Sequence, residues 1–277
     1  MAAATSTASS LGLSVDEAIV LHASNRLALR LLPSDVLARV ALATHAGAHL
    51  EVDIATRLAG TDSALAGLDP RVAPRVYERD GFAITLWTYY PAEPSRGLSP
   101  ADYADALSRL HVGLQSVDLT TPHFMDRVRE AERLVGSRER TPELSEADRS
   151  LLTTTFTTVT RAIRERGAVE QALHGEPHPG NVLNTKSGPL FIDLETCCRG
   201  PVEFDLAHVP EAVSERYPDI DQALVRQCRV LVIAMVAAWR LDPGDQYPSG
   251  GQTARELLTA LRAGPPYPPL SAITGLE

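Results

Sequence analysis

Apolar and polar positions alternate over Leu27, Leu29 and Leu31 and again from Val36 to Ala43, with the turn-forming Pro33-Ser34-Asp35 between them. That pattern predicts a β-hairpin near the start of the chain. The period then lengthens. Leu50, Ile54 and Leu58 mark a helical stripe between His45 and Ala59, with Glu51 one step off it. Val76–Glu78 and Phe82–Tyr89 read as two more strands across Arg79-Asp80-Gly81, and Pro91 closes the run. From Ser99-Pro100 onward helices dominate. Tyr103, Leu107, Leu110 and Leu114 carry one stripe, and Ser145 with Asp148 caps another through Leu152, Phe156, Val159 and Ile163 to Gly167. Asp221–Arg240 and Thr253–Leu261 complete the helices. The apolar run Val230–Trp239 is too short to span a bilayer and reads as a buried helix, so no membrane partner is expected.

Composition narrows the class. At 277 residues and 44% hydrophobic content the chain can bury large cores. Met1–Ser10 is rich in Ala, Ser and Thr and lacks an export-signal pattern, so residues 1–13 read as a flexible tail. Three cysteines form neither a disulfide framework nor a metal motif, and a reducing cytoplasm is the expected compartment. A net charge of -9 argues against nucleic acid as a partner. A cationic small molecule fits better. The acids Glu203, Asp205, Glu211, Glu215, Asp219 and Asp221 form a candidate amine-binding stretch, unless they are simply a solvated helix face.

The densest chemistry lies in Leu173-His174-Gly175-Glu176-Pro177-His178-Pro179-Gly180-Asn181 and in Ile192-Asp193-Leu194-Glu195. Glu176 and Asn181 are five residues apart, the spacing of the proton-accepting carboxylate and the metal-binding amide in a kinase catalytic loop. Two short apolar segments around Thr185-Lys186-Ser187-Gly188 predict a hairpin that returns Asp193 beside Asn181. Asn181 and Asp193 would then offer hard oxygen ligands to magnesium, with Glu195 as a further ligand on the same side of an extended segment. Glu176 is the candidate base. His174 reads as a loop brace, and His178 as a residue packing near the metal.

These positions resemble the aminoglycoside phosphotransferase family, whose signature is His-Gly-Asp-x-His-x-x-x-Asn or a close spacing variant, here with two residues between His178 and Asn181, followed by Ile-Asp-x-Glu. His174, Gly175, His178, Asn181, Ile192, Asp193 and Glu195 match it, as do Arg199-Gly200-Pro201 and Asp205-Leu206-Ala207. Glu176 departs from it, standing where the family has aspartate. The resemblance implies an α+β, bilobal protein-kinase-like fold, with a small antiparallel-sheet N-lobe at residues 14–90 and a larger, mainly helical C-lobe at 91–277. It implies magnesium-dependent transfer of the terminal phosphoryl group of ATP or GTP to a hydroxyl of a small molecule. The rivals are a nucleotide-binding switch without phosphotransfer and a metabolite kinase for choline, a sugar or an amino-alcohol.

On the donor side, a kinase-like lobe pairs a strand cation with a helix glutamate. The chain's single lysine is Lys186, in the hairpin turn, so the strand cation must be an arginine. Arg39 with Glu51 is the candidate pair; a surface strand residue and a solvated helix residue are the plain alternative. No glycine lies between Gly12 and Gly47, and Ser24-Asn25-Arg26 is the candidate turn over the nucleotide, contributing Ser24 and Asn25. Thr88, Tyr89 and Tyr90 resemble the hinge that meets the adenine edge, and Leu29, Val40 and Leu86 are candidate apolar walls.

Overall fold

The computed structural model describes residues 1–23, 26–44, 47–91, 93, 97–245, 247, 249–268 and 270. In chain order the elements are α1 (Ala2–Ser10), β1 (Val15–Ala23), β2 (Leu27–Pro33), β3 (Val36–Leu42), α2 (Gly47–Leu58), β4 (Tyr77–Arg79), β5 (Phe82–Thr88), α3 (Pro100–Gln115), α4 (Phe124–Gly136), α5 (Glu146–Arg166), β6 (Glu170–Leu173), β7 (Val182–Thr185), β8 (Gly188–Phe191), β9 (Cys198–Pro201), α6 (Val202–Leu206), α7 (Glu211–Ser214), α8 (Gln222–Trp239) and α9 (Gly250–Ala263). They divide into two units. One comprises Met1–Leu98, Arg109–Leu119 and Val182–Thr196; the other comprises Ser99–Ser108, Thr120–Asn181 and Cys197–Glu277. A division at residue 90 is therefore too simple, because the β7–β8 hairpin and the end of α3 belong with the first unit.

The first unit is built on an antiparallel sheet in the order β1-β2-β3-β5-β4. Strand alternation sorts its side chains onto two faces. Leu29, Leu31, Val36, Ala38, Val40, Ile84 and Leu86 share one face and pack against Ala3, Ala4 and Ala8 of α1. Each fully buried leucine or isoleucine there contributes on the order of 1.5–3 kcal/mol. The expected flexible tail is thus a helix that covers the sheet. Its alanine stripe carries little hydropathy contrast, and packing rather than amphipathicity holds it. Arg39 points to the other face, in register with Ala28 on β2 and Thr85 on β5. Separately, β7 and β8 pair through Val182 with Phe191 and Thr185 with Gly188, the hairpin expected from the sequence.

The second unit is mainly helical. Phe156 and Leu152 of α5, Leu231 and Ile233 of α8, Leu257 of α9 and Phe204 of α6 are fully or almost fully buried in one core. Ser145 Oγ caps α5 by accepting the Asp148 N–H at 3.2 Å, and Gly167 ends it at φ +60°. By length and composition α8 could cross a bilayer, but its Leu224, Cys228, Leu231, Val232 and Met235 are buried in this core. The helix α4 had no sequence forecast. Its cap is a histidine, His123, whose Nδ1 accepts the Met125 N–H at 3.2 Å while Asp126 accepts the His123 N–H at 2.9 Å.

Candidate active site

The chemistry of the first unit gathers around Glu51, whose side chain is only 1% exposed. A lone buried carboxylate is costly, and each of its oxygens is met. Oε1 accepts from Arg39 Nη1 and from the backbone N–H of Leu194 at 3.2 Å; Oε2 accepts from Arg26 Nη1 at 3.0 Å. Arg39 Nη2 reaches Asp193 Oδ1 at 3.0 Å. The expected strand cation and helix glutamate are therefore paired, and Asp193 joins them. Burial works against the Arg39 charge, but Glu51 and Asp193 outweigh it and raise its pKa.

Asp193 adopts φ +66°, a left-handed conformation that aspartate tolerates better than most residues. The backbone turns there, and Leu194–Thr196 forms a single 3₁₀ turn. The expected extended segment is absent, so Glu195 does not lie on the side of Asp193 by strand alternation. Its carboxylate pairs with Arg26 Nη2; the plain alternative for Glu195 in sequence, a salt bridge to Arg199, does not form, and Arg199 lies 3.6 Å from Glu170. Arg26, named in sequence only as the end of the candidate nucleotide turn, is a member of this ion-pair cluster that no local pattern indicated. It follows Ser24 and Asn25, which lie outside the described residues.

At the other end of β5, the Thr88 N–H is donated to Gly67 O at 2.9 Å and its hydroxyl to Leu68 O at 3.3 Å. Thr88 is thus committed within the unit and does not offer its N–H to a base. Tyr90 accepts the Gly67 N–H at 3.3 Å, and Arg30 stacks 4.1 Å over the Tyr89 ring. The proposed adenine walls need correction. Leu29, Val40 and Leu86 lie on the face covered by α1. Alternation puts Ala28 and Leu37, both half-buried, on the Arg39 face instead.

The catalytic loop of the second unit is braced from below. Asp205, fully buried, accepts the N–H of His174 at 2.8 Å and of Gly175 at 2.8 Å. His174 Nδ1 accepts the Glu176 N–H at 3.4 Å, consistent with a brace. The Asn181 amide nitrogen donates to Glu176 O at 2.9 Å and lies 3.3 Å from His178 Nε2, so the nitrogen is engaged within the loop and the amide oxygen is the group's remaining acceptor. That oxygen is the atom a hard cation takes.

The Glu176 carboxylate is bound by Arg127 of α4, whose other terminal nitrogen donates to Gly175 O at 3.2 Å. Burial raises the Glu176 pKa, but the charges of Arg127 and His208 and the Arg127 hydrogen bond overturn this and hold it at about 2. His208 is 7% exposed, and burial depresses its pKa to about 4 despite the nearby carboxylates. Neither Arg127 nor His208 carried a sequence signal. They reach the loop only through folding.

The acidic stretch is largely structural. Asp205 and Glu203 are buried, and Asp221 caps α8 through the N–H groups of Ala223 and Leu224 while pairing with Arg166. Glu211, Glu215 and Asp219 are exposed, as is Asp221, whose carboxylate is already engaged in its cap and in the Arg166 pair. Among the described residues no three His, Cys, Asp or Glu side chains cluster into a metal cage. Magnesium bound with phosphates commonly needs only one or two carboxylates, and the oxygens of Asp193, Glu195 and Asn181 suit it chemically.

Three solved structures have closely comparable chain paths. Amicoumacin kinase hAmiN, in complex with AMP-PNP, Ca2+ and Ami, superposes with a TM-score of 0.70 at 10% identity over 91% of each chain. The GDP complex of aminoglycoside 2'-phosphotransferase-IIIa gives 0.68 at 15% identity, covering 90% of this chain and 93% of that one. A choline/ethanolamine kinase family protein from Mesorhizobium loti gives 0.59 at 16% identity over 94% and 93%. At such identities the likeness establishes the kinase-like fold. No curated protein matched in sequence. The model of the phosphotransferase enzyme family matches residues 16–229, a span running from β1 into α8 and including both the Arg39–Glu51 pair and the His174–Glu195 segment. The chain therefore belongs to the phosphotransferase enzyme family and is a phosphotransferase of kinase-like fold.

Proposed function

We propose that this enzyme transfers the terminal phosphoryl group of ATP or GTP to a hydroxyl of a small molecule, with magnesium. The observation that carries the reading is the closed set of Arg39, Glu51 and Asp193, the donor-side arrangement of kinase-like enzymes. Similar structures with AMP-PNP or GDP bound support a nucleotide donor.

In this reading Glu51 fixes the orientation of Arg39, whose flat fork binds phosphate oxygens. Asp193 and Asn181, which flank the β7–β8 hairpin in the chain, would hold magnesium, with Glu195 as a further ligand. When bound, magnesium supplies charge neutralisation at the transferring phosphoryl group. Glu176 accepts a hydrogen bond from the acceptor hydroxyl. A carboxylate held near pKa 2 is a weak base, which suits a loose transition state in which the hydroxyl is oriented first and loses its proton late. A cationic acceptor would draw on Glu211, Glu215 and Asp219. We assign the enzyme to the cytoplasm, a compartment in keeping with its buried thiols Cys197, Cys198 and Cys228, none of which is in a disulfide.

The test is turnover with ATP and with GTP against a panel of aminoglycosides, choline, amino-alcohols and sugars. Magnesium-dependent phosphorylation of at least one hydroxyl compound is expected. Tight nucleotide binding without transfer to any of them would favour a nucleotide-gated switch.

A further inference from the structure

A kinase-like donor site needs one cation beside its helix glutamate, and this chain buries two. Arg26 and Arg39 each place one terminal nitrogen on Glu51, and Arg26 Nη1 also lies 3.5 Å from Asp193 Oδ1. The Arg26 side chain is only 10% exposed. The two guanidiniums face three carboxylates, Glu51, Asp193 and Glu195, so each is charge-compensated in the absence of phosphate.

Two further features point outward from that pair. Arg26 Nε is buried and meets no hydrogen-bond acceptor among the described residues. An orphaned donor on a planar fork is a ready half of a bidentate phosphate contact. In addition, Gly47 opens α2 against this side chain. A Cβ at Gly47 would lie 2.8 Å from Glu195 Oε2 and 3.0 Å from Arg26 Nη2, so only glycine lets the first turn of α2 approach so closely. The chain lacks glycines in the turn before β2, where backbone N–H groups would otherwise line phosphates, and puts a buried arginine at its end.

We propose that Arg26 is a second phosphate-binding cation for the donor nucleotide, with Glu195 holding it in place until phosphate takes over. The proposal rests on the nucleotide-donor reading above. In it, the unused Nε edge and the Nη2 group engage phosphate oxygens, and Glu195 is released.

Calorimetric titration with ATP, ADP and adenosine, with and without magnesium, tests this on the whole protein. Arg26→Gln should weaken ATP 10- to 100-fold, ADP less, and adenosine by under twofold, while Arg26→Lys recovers part of the ATP loss. Glu195→Gln, measured in EDTA, should tighten ATP several-fold by removing the competing carboxylate, and this arm stands even if Arg26→Gln fails to fold. Equal losses for ATP and adenosine in Arg26→Gln, or unchanged ATP affinity in both Arg26→Gln and Glu195→Gln, overturn the assignment while leaving the donor reading intact. Failure of the wild-type protein to bind ATP at all overturns both.

Discussion

Arg127 closes on the carboxylate of Glu176 from α4, 49 residues earlier in the chain, and holds the carbonyl of Gly175 with the same guanidinium. A longer side chain than the family's aspartate stands at the candidate catalytic position, and an arginine fixes where its end lies. Reach and restraint go together: an untethered glutamate would sample rotamers that misplace its oxygens by about 1 Å, enough to cost on the order of 100-fold in rate.

Replacing Arg127 with methionine keeps the stem and removes the fork. Turnover should fall by about 10- to 1000-fold while nucleotide affinity changes by less than about threefold, because the lost restraint acts on the acceptor side. Glu176 is one-quarter exposed, so the stability loss should stay near ~1–2 kcal/mol, below that of a fully buried broken pair. Single-turnover rates alongside nucleotide titrations check this. A parallel loss in both would make Arg127 only a packing residue.

The same geometry sets the outcome at Glu176 itself. Glu176→Gln should abolish most phosphoryl transfer, by about 100-fold or more, with nucleotide binding intact. Glu176→Asp should also be slower than wild type, since the shorter arm no longer reaches both Arg127 and the hydroxyl. A faster Glu176→Asp enzyme would mean that the glutamate is a poor stand-in and that Arg127 does not compensate for it.

As the proposed metal ligand, Asp193 should govern the metal-dependent part of nucleotide binding. ATP at 100-fold above its Kd should stabilise the folded protein by about 2.7 kcal/mol, and magnesium should increase the shift. In Asp193→Ala the magnesium increment should vanish while part of the nucleotide shift persists through Arg39. Thermal melts with ATP in magnesium and in EDTA read both quantities. An intact increment would remove Asp193 from the metal site.

The parts of this site that were legible in sequence are those encoded locally. Loop chemistry fixes residue types at short spacing, so His174 to Asn181 and Ile192 to Glu195 stood out, and the β7–β8 hairpin between them followed from its turn. Arg39 and Glu51 were found because a strand and a helix of adjacent sequence hold them. Arg127, His208 and the ion pairs of Arg26 were not found, since these groups meet their partners only through folding and arginines are common on surfaces. Strand alternation was available for the adenine walls, but which face is covered depends on α1, whose alanines gave no periodic contrast. Asp205 and Asp221 looked like members of an acidic patch because one-dimensional charge counting cannot distinguish a solvated acid from a loop brace or a helix cap.

Asp205 supports the catalytic loop through two backbone N–H groups in a buried setting. Asp205→Asn retains one acceptor oxygen and turns a donor toward the other N–H, so it should destabilise the protein by ~2–3 kcal/mol and loosen the loop. Its melting temperature should fall by several degrees. Amide exchange at His174 and Gly175 should quicken more than exchange in the β1–β5 sheet; uniform quickening would show a general loss of stability with no specific role in the loop.

His208 makes stability depend on pH in a calculable direction. Its pKa is about 4 in the folded protein, lowered chiefly by burial and also by Arg127, against 6.5 for an ordinary histidine. Between these values the unfolded chain carries a proton on this ring that the folded chain excludes, so the unfolded state binds more protons and stability rises with pH. The contribution is fully present above pH 6.5 and is lost as pH falls toward 4; across pH 6.5 to 5 it amounts to about 2 kcal/mol. His208→Phe keeps a ring beside Phe204, which the imidazole meets edge-on at 5.3 Å, and removes the titration. Denaturant melts of wild type and variant at pH 7, 6 and 5 should therefore converge as pH falls, the wild type losing about 2 kcal/mol more than the variant. Parallel loss in the two proteins would mean that His208 is protonated as readily in the fold as outside it, and that its burial beside Glu176 and Arg127 does not control its charge.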